Sequence, residues 1–256
     1  MGKKIFVGGL MKSGTSLVRI LICQNETVFG GPETHWFDES FSYQSGGQIG
    51  DRLALFLKFY DLDAKTLREC VEDETNQRLA LLSPLLSHLA KQDNKDNWAE
   101  KTPANFKHVE EILSCSEEAR FIFVDRDPRD IFASWKTNAK GSLSDFLRER
   151  KQFLSLYDAY KDNARVTKVT YEDVVKHPQS SLNALMNFLG IQKQSVEGFS
   201  GEPTLKLKVE AVTGRESPTA NNAAKPIFQT SIGGWKSVLD KDEVDAILGS
   251  ENETLA

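Results

Sequence analysis

A short segment near the beginning of the chain concentrates the residue types that bind anions. It spans residues 8–16 and contains three glycines together with Lys12, Ser13, Thr15 and Ser16. Apolar runs precede and follow the segment, so it joins a predicted strand to a predicted helix. Backbone amides at such a helix N-terminus attract phosphate or sulfate groups, and the lysine adds a full positive charge. The segment therefore predicts an anion-binding loop.

The order of lysine and glycine in this loop differs from that of the nucleotide-triphosphate P-loop. The P-loop pattern, G-x-x-x-x-G-K-[ST], places the lysine directly after a glycine. Here Lys12 precedes Gly14, and the residue directly after that glycine is Thr15, not a lysine. Asp125, after a second apolar run, could serve as a magnesium-binding aspartate, but Arg126 follows it and would crowd a metal with positive charge. A kinase-like ATP enzyme stays open as an alternative.

A second group of anion-binding residues lies in the middle of the chain. Arg126 follows the apolar run at residues 120–124, and Ser134 falls about two turns into a helix expected to begin near Pro128. A guanidinium fork and a hydroxyl suit a terminal phosphate monoester. The alternative for this segment, taken alone, is a surface corner with ordinary ion pairs.

These segments are embedded in alternating strand and helix patterns. Short apolar runs predict strands at residues 4–8, 98–101, 120–124 and 165–170. Helical patterns cover residues 16–23, 51–92, 107–115, 129–138, 143–161 and 182–189. Pro84 is expected to mark a break or a helix start. Residues 198–234, rich in Gly, Pro, Ser, Thr and Asn, predict a long loop of functional importance.

The alternation predicts an α/β fold. We expect one domain over residues 1–256, with a mainly parallel central sheet flanked by helices. Ligands of such folds bind at the carboxyl ends of the strands. Both anion-binding segments fall at such ends.

Composition excludes several classes of protein. The net charge of −5 gives no general attraction to nucleic acid or to an anionic membrane. Three scattered cysteines without metal-ligand spacing predict reduced thiols. The apolar stretch after the first lysines is broken by Gly8 and Gly9, unlike a signal peptide, and no run approaches the ~20 apolar residues of a membrane span. We therefore expect a cytoplasmic protein with neither a nucleic-acid nor a membrane partner.

Taken together, the two segments resemble the PAPS-dependent sulfotransferases, whose donor is 3′-phosphoadenosine-5′-phosphosulfate (PAPS). Residues 8–16 resemble that family's 5′-phosphosulfate loop, and the stretch from Arg126 to Ser134 resembles its 3′-phosphate motif. Further matches are Glu100–Pro103, Tyr171–Val175 with Pro178, Asn187–Gly190, Lys225–Pro226 and Ser231–Lys236. Because they occur in the family's order, the resemblance covers nearly the whole chain and implies the P-loop-like fold of that family.

The resemblance implies which residues bind PAPS and its product, PAP. The 5′-phosphosulfate is expected to contact Lys12, Ser13, Gly14, Thr15 and Ser16, and the 3′-phosphate to contact Arg126 and Ser134. Tyr171 is expected beside the nucleotide. Lys225, Gly233, Gly234, Trp235 and Lys236 are expected in the late loop that closes over the cofactor. One departure from the pattern is Asn138, where some relatives carry a basic residue.

The resemblance also suggests catalytic roles. Negative charge develops on the bridging oxygen of the donor, where Lys12 would stabilise it, while Lys101 would stabilise the sulfuryl oxygens. No metal is expected, because lysines and the helix dipole provide the positive charge. The acceptor must lose a proton to a base. Residues 30–36 resemble the Gly-Glu-Glu-Thr stretch of the tyrosylprotein sulfotransferase branch, which implies Glu33 as that base. His35 is the rival, since other branches use histidine.

The acceptor is less constrained than the donor. The resemblance to compact members without an anchor favours a hydroxyl or amine of a small molecule, such as a natural product or metabolite. A saccharide or a peptide tyrosine are the alternatives. A non-catalytic protein that retains a PAP pocket is the alternative from another functional class, although intact Lys12, Lys101 and Glu33 argue against it.

Overall fold

The computed structural model describes residues 2–31, 33–37, 43–44, 48–49, 51–63, 65, 78–114, 116–138, 141–197, 199, 201, 221 and 225–255.

A five-stranded sheet, parallel throughout, forms the centre of the molecule. Its strands are β1 (Lys4–Gly8), β2 (Val28–Gly30), β5 (Asn97–Lys101), β6 (Ala119–Asp125) and β7 (Val166–Thr170). They lie in the order β2-β5-β1-β6-β7, and every pairing is parallel. Two short antiparallel strands, β3 (Tyr43–Gln44) and β4 (Gln48–Ile49), form a separate hairpin. Because β1 is central, the loop after it lies in the middle of the ligand-binding edge.

Helices follow most of the strands. They are α1 (Thr15–Cys23), α2 (Asp51–Phe59), α3 (Arg78–Gln92), α4 (Val109–Ser114), α5 (Pro128–Asn138), α6 (Leu143–Tyr160), α7 (Tyr171–Lys176), α8 (Pro178–Leu189) and α9 (Lys241–Leu255). Two 3₁₀ helices cover Pro103–His108 and Gly234–Ser237. Among the described residues, none of the helices has both the length and the apolar character needed to cross a membrane.

The sheet has an aromatic face and an aliphatic face. Alternate strand residues point to opposite sides, so Phe6 and Phe121 belong to one core cluster, whereas Ile5 and Ile122 belong to the other. Helices α1 and α8 pack on the aliphatic face, while α3, α5 and α6 pack on the aromatic face. Burial on both sides explains the continuous apolar runs of β1 and β6. The predicted α/β fold with a parallel sheet flanked by helices is confirmed.

Several elements differ from the sequence predictions. Pro84 lies inside α3 and neither breaks the helix nor begins it. Packing of Leu82, Leu85 and Leu86 into the core offsets the missing hydrogen bond there. Strand β2 and helices α7 and α9 were not predicted. Of the predicted loop at residues 198–234, the larger part lies outside the described residues.

Candidate active site

The loops after all five parallel strands line one cavity of about 540 Å³. Gly9 follows β1, Glu33 follows β2 and Thr102 follows β5. Arg126 follows β6, and Tyr171 follows β7. Carboxyl ends of parallel strands share one edge, so residues far apart in sequence meet here.

The first loop has the geometry of an anion-binding turn. Gly14 has a φ of 100°, and a Cβ at this position would lie 2.5 Å from Cδ2 of Tyr171. Lys12 also has a positive φ, 76°. Helix α1 then begins without a side-chain cap and without an acidic residue in its first turn. Its N-terminal amides and dipole are therefore available to a negatively charged ligand.

Most of the loop residues predicted to bind the 5′-phosphosulfate reach the cavity. The cavity wall contains Lys12, Gly14, Thr15 and Ser16. Ser13 differs, because its side chain is fully buried and its Oγ has no hydrogen-bond partner among the described residues. A direct contact of this hydroxyl with a ligand stays a prediction.

Arg126 connects the first loop to three other parts of the site. Its Nη1 donates to the carbonyl of Lys12 at 3.1 Å, and its Nη2 donates to the carbonyl of Ser231. The guanidinium carbon lies 4.5 Å from the centroid of the Tyr171 ring. Nη2 also lies 3.8 Å from Oδ2 of Asp130. The buried Nε has no partner among the described residues, so the group keeps a donor for a ligand.

Ser134 lies in the same cavity wall as Arg126, as the resemblance implied. Helix α5 carries it two turns from Pro128, and Asn138 follows one turn later. The Asn138 side chain donates to Ser134 Oγ at 3.3 Å. The departure from the family motif at Asn138 thus lies directly beside Ser134.

The late segment, residues 225–236, contacts the site in two different ways. Lys225 and Ser231 line the cavity. Gly233, Gly234, Trp235 and Lys236 are outside the described cavity wall. Asp130 accepts hydrogen bonds from the backbone amides of Gly233 and Trp235, at 2.8 and 3.0 Å, which fixes this stretch against α5. Contact of these four residues with a cofactor stays a prediction.

Glu33, Lys101 and His35 form a charged cluster at the other side of the cavity. Lys101 Nζ pairs with Glu33 Oε1 and donates to Ser16 Oγ at 2.9 Å. His35 Nε2 lies 3.1 Å from Glu33 Oε2. The lysine side chain is only 4% exposed, whereas that of Glu33 is 29% exposed. Glu33 and His35 line the cavity, and Lys101 approaches them from the buried side.

The environment of the cluster keeps Glu33 ionised. Burial raises the pKa of its carboxyl, but Lys101 and His35 outweigh this and hold the pKa well below its usual range. For Lys101, burial lowers the pKa below its ordinary value, and the attraction of Glu33 offsets this only in part. The cavity thus contains a carboxylate held beside a poorly solvated lysine.

Asp125 is engaged in a separate ion-pair network. Its carboxylate lies 2.5 Å from Arg150 Nη1 and 3.8 Å from Lys168 Nζ. Arg150 also pairs with Glu251 at 2.6 Å. Asp125 thus joins β6 to α6 through ion pairs, whereas the kinase alternative requires it as a magnesium ligand. Among the described residues, no cluster of three or more His, Cys, Asp or Glu side chains has the arrangement of a metal site.

The sequence of the chain matches a known protein family. A family model described as "Sulfotransferase family" matches residues 4–195. The chain belongs to the sulfotransferase family. The matched range contains both anion-binding segments and the Glu33–Lys101 pair, and the predicted PAPS sulfotransferase family is confirmed.

Individual sulfotransferases are similar over most of the chain. Protein-tyrosine sulfotransferase 2 of Gallus gallus is 25% identical over 250 residues, which are 90% of this chain and 62% of that protein. The chain thus spans less than two thirds of that relative.

Two solved structures support the fold. The sulfotransferase domain from the curacin biosynthetic pathway has a TM-score of 0.63 and 17% identity, covering 98% of both chains. Mouse sulfotransferase SULT7A1 complexed with PAP has a TM-score of 0.55 and 13% identity, covering 99% of this chain and 84% of that one.

Sequence reasoning missed several residues of this cavity. Phe199, Ile227 and Phe228 line the cavity. The available signal was the presence of apolar side chains in a segment whose composition was otherwise that of a loop. In the sequence Glu100 stands out only as part of a motif, yet it is 2% exposed and lies at the centre of a hydrogen-bond network.

Proposed function

We propose that the chain transfers a sulfuryl group from PAPS to a hydroxyl or amine acceptor. The observation that carries the proposal is the meeting of two anion-binding ends and an ionised carboxylate in one cavity. A donor with phosphate groups at both its 3′ and 5′ ends requires both anion-binding ends. A simple nucleotide-triphosphate enzyme does not require the second.

The residues present fit such a donor. The uncapped N-terminus of α1, with Lys12, suits the 5′-phosphosulfate. Arg126, whose buried Nε has no described partner, suits the 3′-phosphate together with Ser134. Lys225 and Ser231 support closure of the late segment over the nucleotide, because they line the same cavity. When bound, PAPS supplies the sulfuryl group and a PAP leaving group.

The Glu33 carboxylate is our proposed general base. It is ionised, lines the cavity and can accept the proton of an acceptor hydroxyl or amine. Lys101, which touches both Glu33 and Ser16, would stabilise negative charge on the transferring group. His35 contacts Glu33 from the cavity side, so it is the rival base or a partner of Glu33. Positive charge from Lys12, Lys101 and Arg126 would serve this transfer without a metal ion.

A small molecule is our first choice of acceptor, and a peptide tyrosine is the second. The cavity of about 540 Å³ has a volume typical of small-molecule sites, which supports a small acceptor beside the nucleotide. The tyrosine alternative is supported by the similarity to a protein-tyrosine sulfotransferase and by the stretch that contains Glu33.

The test uses ³⁵S-labelled PAPS with a panel of phenols, alcohols, amines, saccharides and tyrosine peptides. We expect labelled product from at least one class, and a loss of more than ~100-fold in Lys12→Ala. Lys58→Ala, an exposed lysine of α2, is the matched control. PAP binding without turnover on any acceptor would instead support the non-catalytic alternative, and ATP- and magnesium-dependent phosphorylation would support the kinase alternative.

A further inference from the structure

Glu100 is a buried carboxylate with four hydrogen-bond donors around it. Its Oε1 accepts from the amide and the hydroxyl of Thr34, at 3.2 and 2.8 Å, and from the hydroxyl of Thr102 at 2.8 Å. Its Oε2 accepts from Asn105 Nδ2. The residue is 2% exposed. A carboxylate is retained in such a place only when its oxygens are well satisfied, and these donors satisfy them.

The network extends to the backbone of the segment that carries Glu33 and His35. The amide of His35 donates to Thr102 Oγ1 at 3.0 Å, and the amide of Trp36 donates to Thr34 Oγ1 at 3.2 Å. Each hydroxyl thus accepts from the segment and donates to Glu100. Three consecutive amides, at residues 34–36, are held by Glu100 directly or through one hydroxyl.

The segment that carries Glu33 and His35 lacks the backbone hydrogen bonds of a helix or strand. Residues 33–35 belong to no helix or strand, and His35 has a φ of 53°. A non-glycine residue in the left-handed region is strained and persists only when its surroundings impose that conformation. The hydrogen bonds to Glu100 and Thr102 provide that constraint.

Glu100 and Lys101 are neighbours on β5 and therefore point to opposite sides of the sheet. Lys101 reaches α1 through Ser16 and pairs with the Glu33 carboxylate. On the other side, Glu100 holds the backbone amide of Thr34 directly and that of His35 through Thr102. The end of one strand thus fixes both the side chain of Glu33 and the chain that carries it.

We propose that Glu100 is a positioning residue for sulfuryl transfer, which sets the place of Glu33 and His35 through Thr34 and Thr102. The proposal rests on the proposed function of this site. A positioning role of Glu100 differs from a merely structural role of a buried polar group in one measurable way. Loss of the anchor lowers kcat while PAP affinity is kept, because the donor-binding residues Lys12 and Arg126 are outside the network.

The decisive variants change one hydroxyl. Thr34→Val keeps the shape of the side chain but removes the hydroxyl that links Glu100 to the amide of Trp36. Thr34→Ser keeps the hydroxyl and is the matched control. We expect Thr34→Val to lower kcat about 10- to 100-fold, since a shift of about 1 Å in a reacting group has an effect of that size. The dissociation constant of PAP, measured by calorimetry, should stay within about twofold of wild type, and Thr34→Ser should retain most of the activity.

A second pair tests Glu100 itself. Glu100→Gln keeps the Oε1 acceptor, and its new amide can donate to Asn105 Oδ1, which has no partner among the described residues, once the Asn105 amide rotates and gives up its 3.4 Å bond to the Val7 carbonyl. Glu100→Ala removes the anchor. We expect Glu100→Gln, but not Glu100→Ala, to retain most of the wild-type kcat. Both variants are assayed at a temperature at which their thermal denaturation curves show them to be folded.

Crystal structures of the Thr34 variants make the result independent of turnover. In Thr34→Val, residues 33–36 should move by more than about 0.5 Å, the tolerance of a productive site, and should stay in place in Thr34→Ser. Unchanged coordinates in Thr34→Val, or a kcat within about twofold of wild type, would overturn the proposal. If wild-type protein transfers no sulfuryl group, the proposed function fails. The crystal structures then still decide whether Glu100 positions the segment.

Discussion

Replacement of Lys101 by methionine should separate stability from activity in this sulfotransferase. Methionine preserves most of the side-chain volume and removes the ammonium group. The Lys101 side chain is 4% exposed, and burial lowers the pKa of its ammonium more than the attraction of Glu33 raises it. The folded protein therefore holds this charge at an energetic disadvantage relative to water.

The magnitudes follow from the two partners that Lys101 leaves behind. Ser16 Oγ lines the cavity and can bond to water. Glu33 is 29% exposed and keeps His35 at 3.1 Å, so solvent screens much of the lost attraction. We expect the free energy of unfolding to change by less than about 1 kcal/mol, or Tm by less than about 4 °C in a chain of this size. If Lys101 stabilises the transferring group as proposed, loss of its charge should lower the rate about 10²- to 10³-fold, which is about 2.7–4 kcal/mol.

The assay combines urea unfolding, calorimetric PAP binding and single-turnover transfer from labelled PAPS. Lys136→Met is the matched control, because Lys136 pairs with Glu243 at 2.8 Å on the surface and should affect neither property. A loss of more than about 3 kcal/mol of stability in Lys101→Met would mean that the ion pair is structural. An unchanged transfer rate would refute the role of Lys101 in the reaction.

Three further predictions concern the donor site and pH. Gly14→Ala should weaken PAP binding and lower the free energy of unfolding by about 1–3 kcal/mol. The reasons are the φ of 100° at this position and the Tyr171 ring, whose Cδ2 would lie 2.5 Å from the added Cβ. Gly190→Ala, with a φ of 67° and nothing within 4 Å, should leave calorimetric PAP binding unchanged. Arg126→Ala should raise the dissociation constant of PAP at least 10-fold but hardly change that of AMP, which lacks the 3′-phosphate; equal losses would contradict its role. Although burial raises it, the pKa of Glu33 is held well below its usual range by its positive neighbours. The resulting stabilisation is complete above about pH 4.3 and is lost as the pH falls through the folded pKa. In urea unfolding, the stability difference between wild type and Glu33→Gln should therefore shrink in acid; a constant difference would contradict the shift.

The sequence alone determined the features that depend on contiguous residues. The apolar run of β1, the glycines after it and the apolar start of α1 define a strand, a turn and a helix without reference to the rest of the chain. The same holds for β6 and Arg126. Because parallel strands end at one edge, these local assignments were enough to predict where the two anion-binding segments would lie.

Only the tertiary structure decided the contacts between distant segments. Strand β2 has three residues, too few for a periodic signal, and it forms through pairing with β5. The bond of Glu100 to Thr34 joins residues 66 positions apart, and that of Asp130 to Gly233 joins residues 103 positions apart. A carboxylate has the same local pattern whether it faces water or four buried donors. Its environment arises only when the packing of the sheet and helices removes the solvent and brings the donors to it.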